Sequence, residues 1–360
     1  MNEQVLKNHF EAAPRMEPQD AVKLAYQSAF GCGHLLPAQE ICARMIENEI
    51  AATAEDENEW PFTLIGNGLC RLNLASPPVR ALGAEMIARM MQVSDEIVRQ
   101  RGDNTDRFEE ALCLIETLAR DGEAPFSLQD FQAYLADYRA QGCPVVSHTP
   151  AYREAYRPAY RVVLTDCAQL MQILLEEPRL VVIDGPCGSG KSTLAGLLAR
   201  LFDTQPIPMD DFFLPFDMRT PERLSQPGGN VHYERFASEV LDCFEHGKPV
   251  CWNRFSCSDG TLIPREIPAS VVTVIGGSYS HHPALREKLI QLNALLVYIH
   301  VEEDEQLRRI EKRDPELRHM FETRWIPLEK NYFEAYDIQG TADVVLESMP
   351  WDQPCSQKEE

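Results

Sequence analysis

The stretch that most constrains this chain runs from Leu180 to Leu198. Leu180-Val181-Val182-Ile183 is a short apolar run, which reads as a buried strand. Gly185-Pro186-Cys187-Gly188-Ser189-Gly190-Lys191-Ser192-Thr193 follows, and then Leu194, Ala195, Leu197 and Leu198 continue as an apolar helical pattern. Gly185 to Ser192 fits G-x-x-x-x-G-K-[ST]. Set between a strand and a helix, this spacing builds a phosphate cradle. The glycines let successive backbone N–H groups converge on one point, where the helix N-terminus adds positive potential. Lys191 supplies a point charge for β- and γ-phosphates, and the Ser192 hydroxyl is placed to hold Mg²⁺. The expected ligand is ATP with Mg²⁺, held along Gly185–Thr193.

The rest of the second half follows the same rhythm. Residues 206–209, 271–275, 294–301 and 343–346 read as further strands, and 232–245, 305–312 and 316–336 as helices. Buried strands joined by helices predict a doubly wound parallel α/β sheet, with ligands outside the carboxyl ends of the strands.

Residues 1–165 read differently, as a mostly α-helical domain. Helical patterns begin at Pro18, Pro37, Leu82 and Phe108, and Ser127-Leu128-Gln129-Asp130 looks like a capping start. The methionines at 86, 90 and 91 read as core filling. Three stretches lack periodicity: 30–35, 66–71 and 144–162. In the last, Tyr152-Arg153, Tyr156-Arg157-Pro158 and Tyr160-Arg161 repeat every four residues until Pro158 breaks the pattern. The favoured reading is a connector whose tyrosines dock and whose arginines pair with acidic surface. The alternative is an anion or aromatic-ligand site shared with His34 and Arg71. A helix over 166–177 is expected to lead into the strand before the cradle. The predicted division is 1–165, 166–350 and a polar tail, 351–360.

Charge narrows the partners. The net charge of −22 opposes binding to a phosphate backbone, so no nucleic-acid partner is expected. No apolar run approaches membrane length, so no membrane partner is expected. The 11 cysteines are scattered, without CxxC or zinc-type spacing, which predicts free thiols in a reducing, cytoplasmic setting. Cys187 reads as a variable loop position, although helix N-termini can activate a thiol.

Three further stretches belong at the carboxyl edge of the sheet. In Pro208-Met209-Asp210-Asp211-Phe212-Phe213, either Asp210 or Asp211 suits a base that takes a proton from an acceptor hydroxyl and orients it in line. Gly276-Gly277-Ser278-Tyr279-Ser280-His281-His282-Pro283 allows backbone to approach a ligand closely. In Leu307-Arg308-Arg309-Ile310-Glu311-Lys312-Arg313, one helical face carries Arg309 with Lys312 or Arg313, cations able to close over a transferring phosphate.

Together these pieces resemble the uridine kinase-like branch of the P-loop kinases, which includes uridine-cytidine and nicotinamide riboside kinases. The resemblance covers about residues 178–348: GPCGSGKST (185–193), MDDFF (209–213), GGNVHYERF (228–236), GGSYSHHP (276–283), LRRIEKR (307–313) and WIPLEKNYFEAY (325–336). It implies a P-loop kinase domain that transfers phosphate from ATP, with Mg²⁺, to a hydroxyl of a small, nucleoside-like acceptor. It implies Asp210 as base and metal neighbour with Ser192, and Arg308, Arg309, Lys312 and Arg313 as a lid. Phe212 and Phe213 would lie near the acceptor's ring, with Asp211, His232, Tyr233, Arg254 and Tyr279 around it. The chain departs from the pattern where relatives carry Glu-Gly, here Gly276-Gly277, and Asp, here His232. Ser256 also stands where relatives tend to carry Asp. Asp184, Asp211 or a water are the candidate replacements for the missing Glu. These departures motivate a second reading: an ATP-binding regulatory protein with a degenerate kinase site and a sensing helical domain. The resemblance does not reach residues 1–165.

Overall fold

The computed structural model describes residues 1–32, 36–156 and 159–348. Two compact units emerge, 1–171 and 172–348. His34, of the alternative ligand site, and the 351–360 tail lie outside the described residues.

The first unit is mostly helical, as expected. Its longer helices are Glu3–Ala12, Pro18–Phe30, Gln39–Ala52, Gly83–Gln100, Thr105–Arg120 and Leu128–Ala140. The Ser127 side chain accepts the N–H of Asp130 at 3.1 Å, the capping contact its position predicts. Met90 and Met91 are buried, as core filling requires.

A three-stranded antiparallel sheet is the unexpected part: β1 (Phe62–Gly66), β2 (Leu69–Asn73) and β3 (Tyr160–Leu164), in that order. Asn67 (φ 54°) and Gly68 (φ 73°) form the two-residue turn between β1 and β2. Asn-Gly tolerates positive φ at both central positions, as a tight hairpin needs. The non-periodic stretch at 66–71 is therefore hairpin. β3 ends the Tyr/Arg repeat, so helix Pro150–Tyr156 and strand Tyr160–Leu164 replace one continuous pattern. The expected 166–177 helix is divided into Thr165–Gln169 and Met171–Leu174.

The second unit is built on a five-stranded sheet. Its strands are β4 (Leu180–Asp184), β5 (Ile207–Pro208), β8 (Thr273–Gly276), β9 (Leu295–His300) and β10 (Val344–Glu347), in the order β10-β9-β4-β8-β5. Every pairing is parallel. β4 is buried along its whole length, which explains its unbroken apolar run. After β4 the chain builds β5 and β8 on one side, then crosses to β9 on the other. The carboxyl end of β4 is thus the switch point where such sheets open a crevice. Between β5 and β8 an antiparallel hairpin, β6 (Val250–Phe255) with β7 (Leu262–Ile267), is inserted. No described helix is long and apolar enough to cross a membrane.

Candidate active site

The loop after β4 takes the form its motif requires. Gly185 has φ +150°, and a Cβ there would lie 2.6 Å from the Ile299 carbonyl oxygen on β9. The loop can therefore run tight against the sheet only with glycine at this position. Helix Lys191–Leu201 begins at the loop's end. Lys191 is buried, and its Nζ donates to the Pro186 carbonyl at 3.1 Å. Ser192 and Thr193 are exposed on the first turn.

Asp184, at the end of β4, is wholly buried and saturated with donors. It accepts the N–H groups of Gly185 (2.7 Å), Tyr279 (3.2 Å) and His281 (2.9 Å), and the Tyr332 hydroxyl (2.8 Å). These bonds lock the β4 and β8 loops to the last long helix, Ile326–Tyr336. Asp184 is a structural anchor and has no lone pair free to replace the absent Glu.

Glu329 brings a carboxylate to this edge that sequence reasoning passed over. It is 6% exposed. Its carboxylate accepts the Cys187 N–H at 2.8 Å and the Ser278 hydroxyl at 2.6 Å. The Ser278 hydroxyl also lies 3.1 Å from the Gly185 carbonyl. Glu329 therefore joins the phosphate loop to the loop after β8, where relatives by resemblance carry their acid. A signal was present: Ile326, Glu329 and Tyr332 share one buried face of their helix, and a charge on such a face needs a partner.

Gly276 stands where relatives by resemblance carry that acid. A Cβ there would meet the Ala195 Cβ at 3.0 Å, so a side chain fits only if the helix of the phosphate loop gives way slightly.

The adjacent aspartates lie within one short turn, Met209–Phe212, which gives them different surroundings. Asp211 is buried and accepts the Trp252 Nε1–H at 2.8 Å, with the Arg254 Nε 3.7 Å away. Asp210 opens to solvent on one side and is surrounded by protein on the others. Desolvation raises its carboxyl above the ordinary range. The Lys191 charge opposes that rise, and Glu329 and Asp211 reinforce it. Of the two aspartates, Asp210 is the one left open to a substrate.

The expected acceptor residues divide. Phe212 is fully buried, edge-on to Phe236 at 4.9 Å and under the Arg235 guanidinium at 4.8 Å. It is a core residue, a correction to its expected place beside the acceptor, because the turn directs Met209, Asp211 and Phe212 inward together. Phe213 is half-buried. Tyr233 is buried, stacked on His282 at 3.9 Å, and gives its hydroxyl to the Gly228 carbonyl. Tyr279 is also buried, 4.9 Å from the Tyr332 ring. His232 caps a short helix through its Nδ1 and the Arg235 N–H, and lies 3.1 Å from Glu234. Capping is a task Asp also performs, so this substitution keeps the local backbone. Arg254 is exposed.

The cation cluster lies on helix Glu303–Arg313. Arg309 turns toward the phosphate loop, but to its carbonyls: it donates to Gly188 (3.2 Å), Ser189 (3.4 Å) and the Ser348 hydroxyl (2.6 Å), with Nε on Glu305 at 2.6 Å. Arg308 also pairs with Glu305, and Arg313 with Asp314. Lys312 is exposed. Cys187 is not an activated thiol: burial and the Glu329 charge push it up to about 12.

Among the described residues no three His, Cys, Asp or Glu side chains form a metal cage. Mg²⁺ held mainly by phosphate oxygens and water needs only one or two protein oxygens. The exposed Ser192 hydroxyl and Asp210 carboxylate are of that donor type.

No family model matches the chain, and no curated protein matches it. Among solved structures, a possible uridine kinase from Bacillus stearothermophilus is similar at 18% identity and a TM-score of 0.35, over 47% of this chain and 88% of that one. A protein assigned as a fructose transport system kinase from a Silicibacter species is similar at 22% identity and a TM-score of 0.36, over 49% of this chain and 97% of that one.

Proposed function

We propose that residues 172–348 form an ATP-dependent phosphotransferase that phosphorylates a hydroxyl of a small, nucleoside-like molecule. The observation that carries this reading is the placement of Asp210. It is the open carboxylate at the crevice, it feels the Lys191 charge, and it follows the strand beside β8. A bare phosphate cradle explains none of these features. Lys191 neutralises phosphate charge once it leaves the Pro186 carbonyl, and Asp210 takes the acceptor proton and orients the oxygen in line. Mg²⁺ would be held by Ser192 and Asp210 and would neutralise charge on the transferring phosphate. Phe213 and Arg254 remain accessible to an acceptor, whereas Phe212 does not.

The test is incubation with Mg-ATP and a panel of nucleosides, vitamins and sugars, with phosphorylated product read by mass spectrometry. Product from at least one acceptor, lost in Asp210→Asn with ATP binding retained, is the expected result. Tight ATP binding without product from any acceptor would instead support the regulatory reading. That second reading draws on Gly276, which stands where relatives by resemblance carry an acid and packs closely against Ala195.

A further inference from the structure

The groups beside Asp210 are unequally supplied with hydrogen-bond donors and acceptors. Trp252 and Arg254 stand two residues apart on β6 and so share one face of that hairpin. Both reach Asp211: the Trp252 Nε1–H donates to Oδ2 at 2.8 Å, and Arg254 Nε lies 3.7 Å from Oδ1. Arg235 donates to the backbone carbonyls of Asp211 and Asn253, each at 2.6 Å, which ties the Asp210–Asp211 turn to the same strand. Arg254 is therefore held beside the turn that carries the proposed base.

The carboxylates in contact with these groups are engaged. Asp211 is 8% exposed and holds Trp252. Glu234 takes both Nη groups of Arg223 at 3.2 Å, and Glu239 accepts the Asn253 N–H at 2.7 Å. Asp210 is reserved for the acceptor's proton. What remains open is of the opposite kind. The Arg254 side chain is 50% exposed, and none of its N–H groups has a hydrogen-bond partner among the described residues. Its nearest approach to Asp211 is through Nε, which leaves Nη1 and Nη2 for another partner. His232 Nδ1 accepts the Arg235 N–H at 3.3 Å, which in the neutral ring puts the proton on Nε2, and Nε2 also has no partner among the described residues. Other exposed arginines of this acidic chain hydrogen-bond a carboxylate, as Arg308 does Glu305 and Arg318 does Glu322. A neutral polyol needs acceptors for its hydroxyl protons, whereas this edge offers donors and a permanent positive charge. The guanidinium fork matches a planar carboxylate. One arginine beside two aspartates suits a monoanion better than a phosphate dianion.

We propose that the phosphoryl acceptor carries a carboxylate bound by the Nη groups of Arg254, and that Arg254 selects hydroxy acids over their neutral analogues. The proposal rests on the phosphotransferase reading and names its substrate class. In the step, the acceptor's hydroxyl oxygen bonds to the γ-phosphorus of ATP and the bond from that phosphorus to the β,γ-bridging oxygen breaks. ADP leaves with the electron pair, and the hydroxyl proton passes to Asp210. The carboxylate on Arg254 fixes the acceptor's position and takes no part in the bond changes. The test gives the full chain Mg-ATP and matched pairs that differ in the charged group: glycerate and glycerol, pantothenate and pantothenol, orotidine and uridine. Glycerol 3-phosphate is the dianion control. At least one acid should be phosphorylated with kcat/KM about tenfold or more above its neutral partner, the gain expected of one charge-assisted pair. Arg254→Gln should lower that ratio about tenfold, mainly through KM, and Arg254→Lys should recover part of it. Unchanged melting temperatures in both variants show that the fold is kept. A neutral member used as well as its acid, a ratio unmoved in Arg254→Gln, or a preference for glycerol 3-phosphate over glycerate overturns the proposal, while the product formed leaves the phosphotransferase reading standing. ATP binding with no product from any member removes that reading, and the proposal with it.

Discussion

The Glu329 carboxylate accepts the backbone N–H of Cys187 at 2.8 Å, which sets a buried negative charge against the phosphate loop. Its second contact, with Ser278, reaches the loop after β8. Position 276 carries no carboxylate, and one is thus delivered to the same edge by a different element. Asp210 and Glu329 are close enough for the Glu329 charge to raise the Asp210 carboxyl.

Glu329→Gln should separate the charge of this group from its hydrogen bonds. The Gln oxygen can still accept from Cys187, and its amide can donate to the Ser278 oxygen while that hydroxyl donates to Gly185. Melting temperature should stay near that of the wild type. ATP should bind several-fold tighter without Mg²⁺, because a like charge beside the phosphates is gone. Glu329→Ala leaves the Cys187 N–H unpaired, while the Ser278 hydroxyl can turn to the Gly185 carbonyl, and should cost about 1–3 kcal/mol. Calorimetry with and without Mg²⁺ checks the first effect and denaturant unfolding the second; unchanged ATP affinity in both variants would refute a role at the phosphates.

Asp210 gives a pH dependence whose sign follows from its raised carboxyl. The folded state holds that proton to higher pH than the unfolded state does. Stability from this group is therefore present below the unfolded value and is lost as pH rises through the folded one. The ionised form is nevertheless the one a base needs. Asp210→Asn should match or exceed the wild-type melting temperature at pH 7, with the difference fading in acid, and should lose transfer. The acid limb of the wild-type rate should lie above that of an ordinary carboxylate and move down in Glu329→Gln. Thermal unfolding and single-turnover rates across pH measure both.

Close packing at Gly276 makes a third prediction. Gly276→Ala alone forces its new methyl against Ala195 and should cost about 1–3 kcal/mol as overpacking. Ala195→Gly in the same chain should recover part of that loss beyond what its own helix penalty allows. A double-mutant cycle on denaturant midpoints reads the coupling; strictly additive effects would refute the contact.

How much of this the chain discloses depends on how local each signal is. The cradle is written in consecutive residues, and the central strands β4, β8 and β9 appear as apolar runs because both of their faces are covered. Asn67-Gly68 is an equally local hairpin signal that helical periodicity around it concealed. β3 joins that hairpin from far along the chain, and no local pattern announces the pairing. The β6–β7 hairpin was missed for another reason: β7 is exposed over most of its length, so it lacks the apolar alternation of a half-buried strand. Asp210 and Asp211 are alike as neighbours in sequence, and only Trp252, from that hairpin, tells them apart. Phe212 looked like a binding residue because its motif is short and its burial is decided by Phe236 and Arg235.

Arg309 is the residue whose role the geometry most sharpens. A lid arginine meets the transferring phosphate and acts on the rate of the chemical step. A bracing arginine shapes the loop and acts on nucleotide affinity. With Nη1 on the Gly188 and Ser189 carbonyls and on Ser348, and Nε on Glu305, Arg309 has the contacts of a brace. Arg309→Ala should therefore lower the melting temperature and raise KM for ATP about tenfold, with a smaller change in kcat. Arg309→Lys should restore little, because an ammonium cannot reproduce the guanidinium fork. Arg308→Ala and Arg313→Ala, which remove exposed pairs with Glu305 and Asp314, should change stability by no more than about 1 kcal/mol. Steady-state kinetics and thermal unfolding on the four variants decide the matter. A large fall in kcat for Arg309→Ala, with KM and melting temperature unchanged, would return Arg309 to the lid.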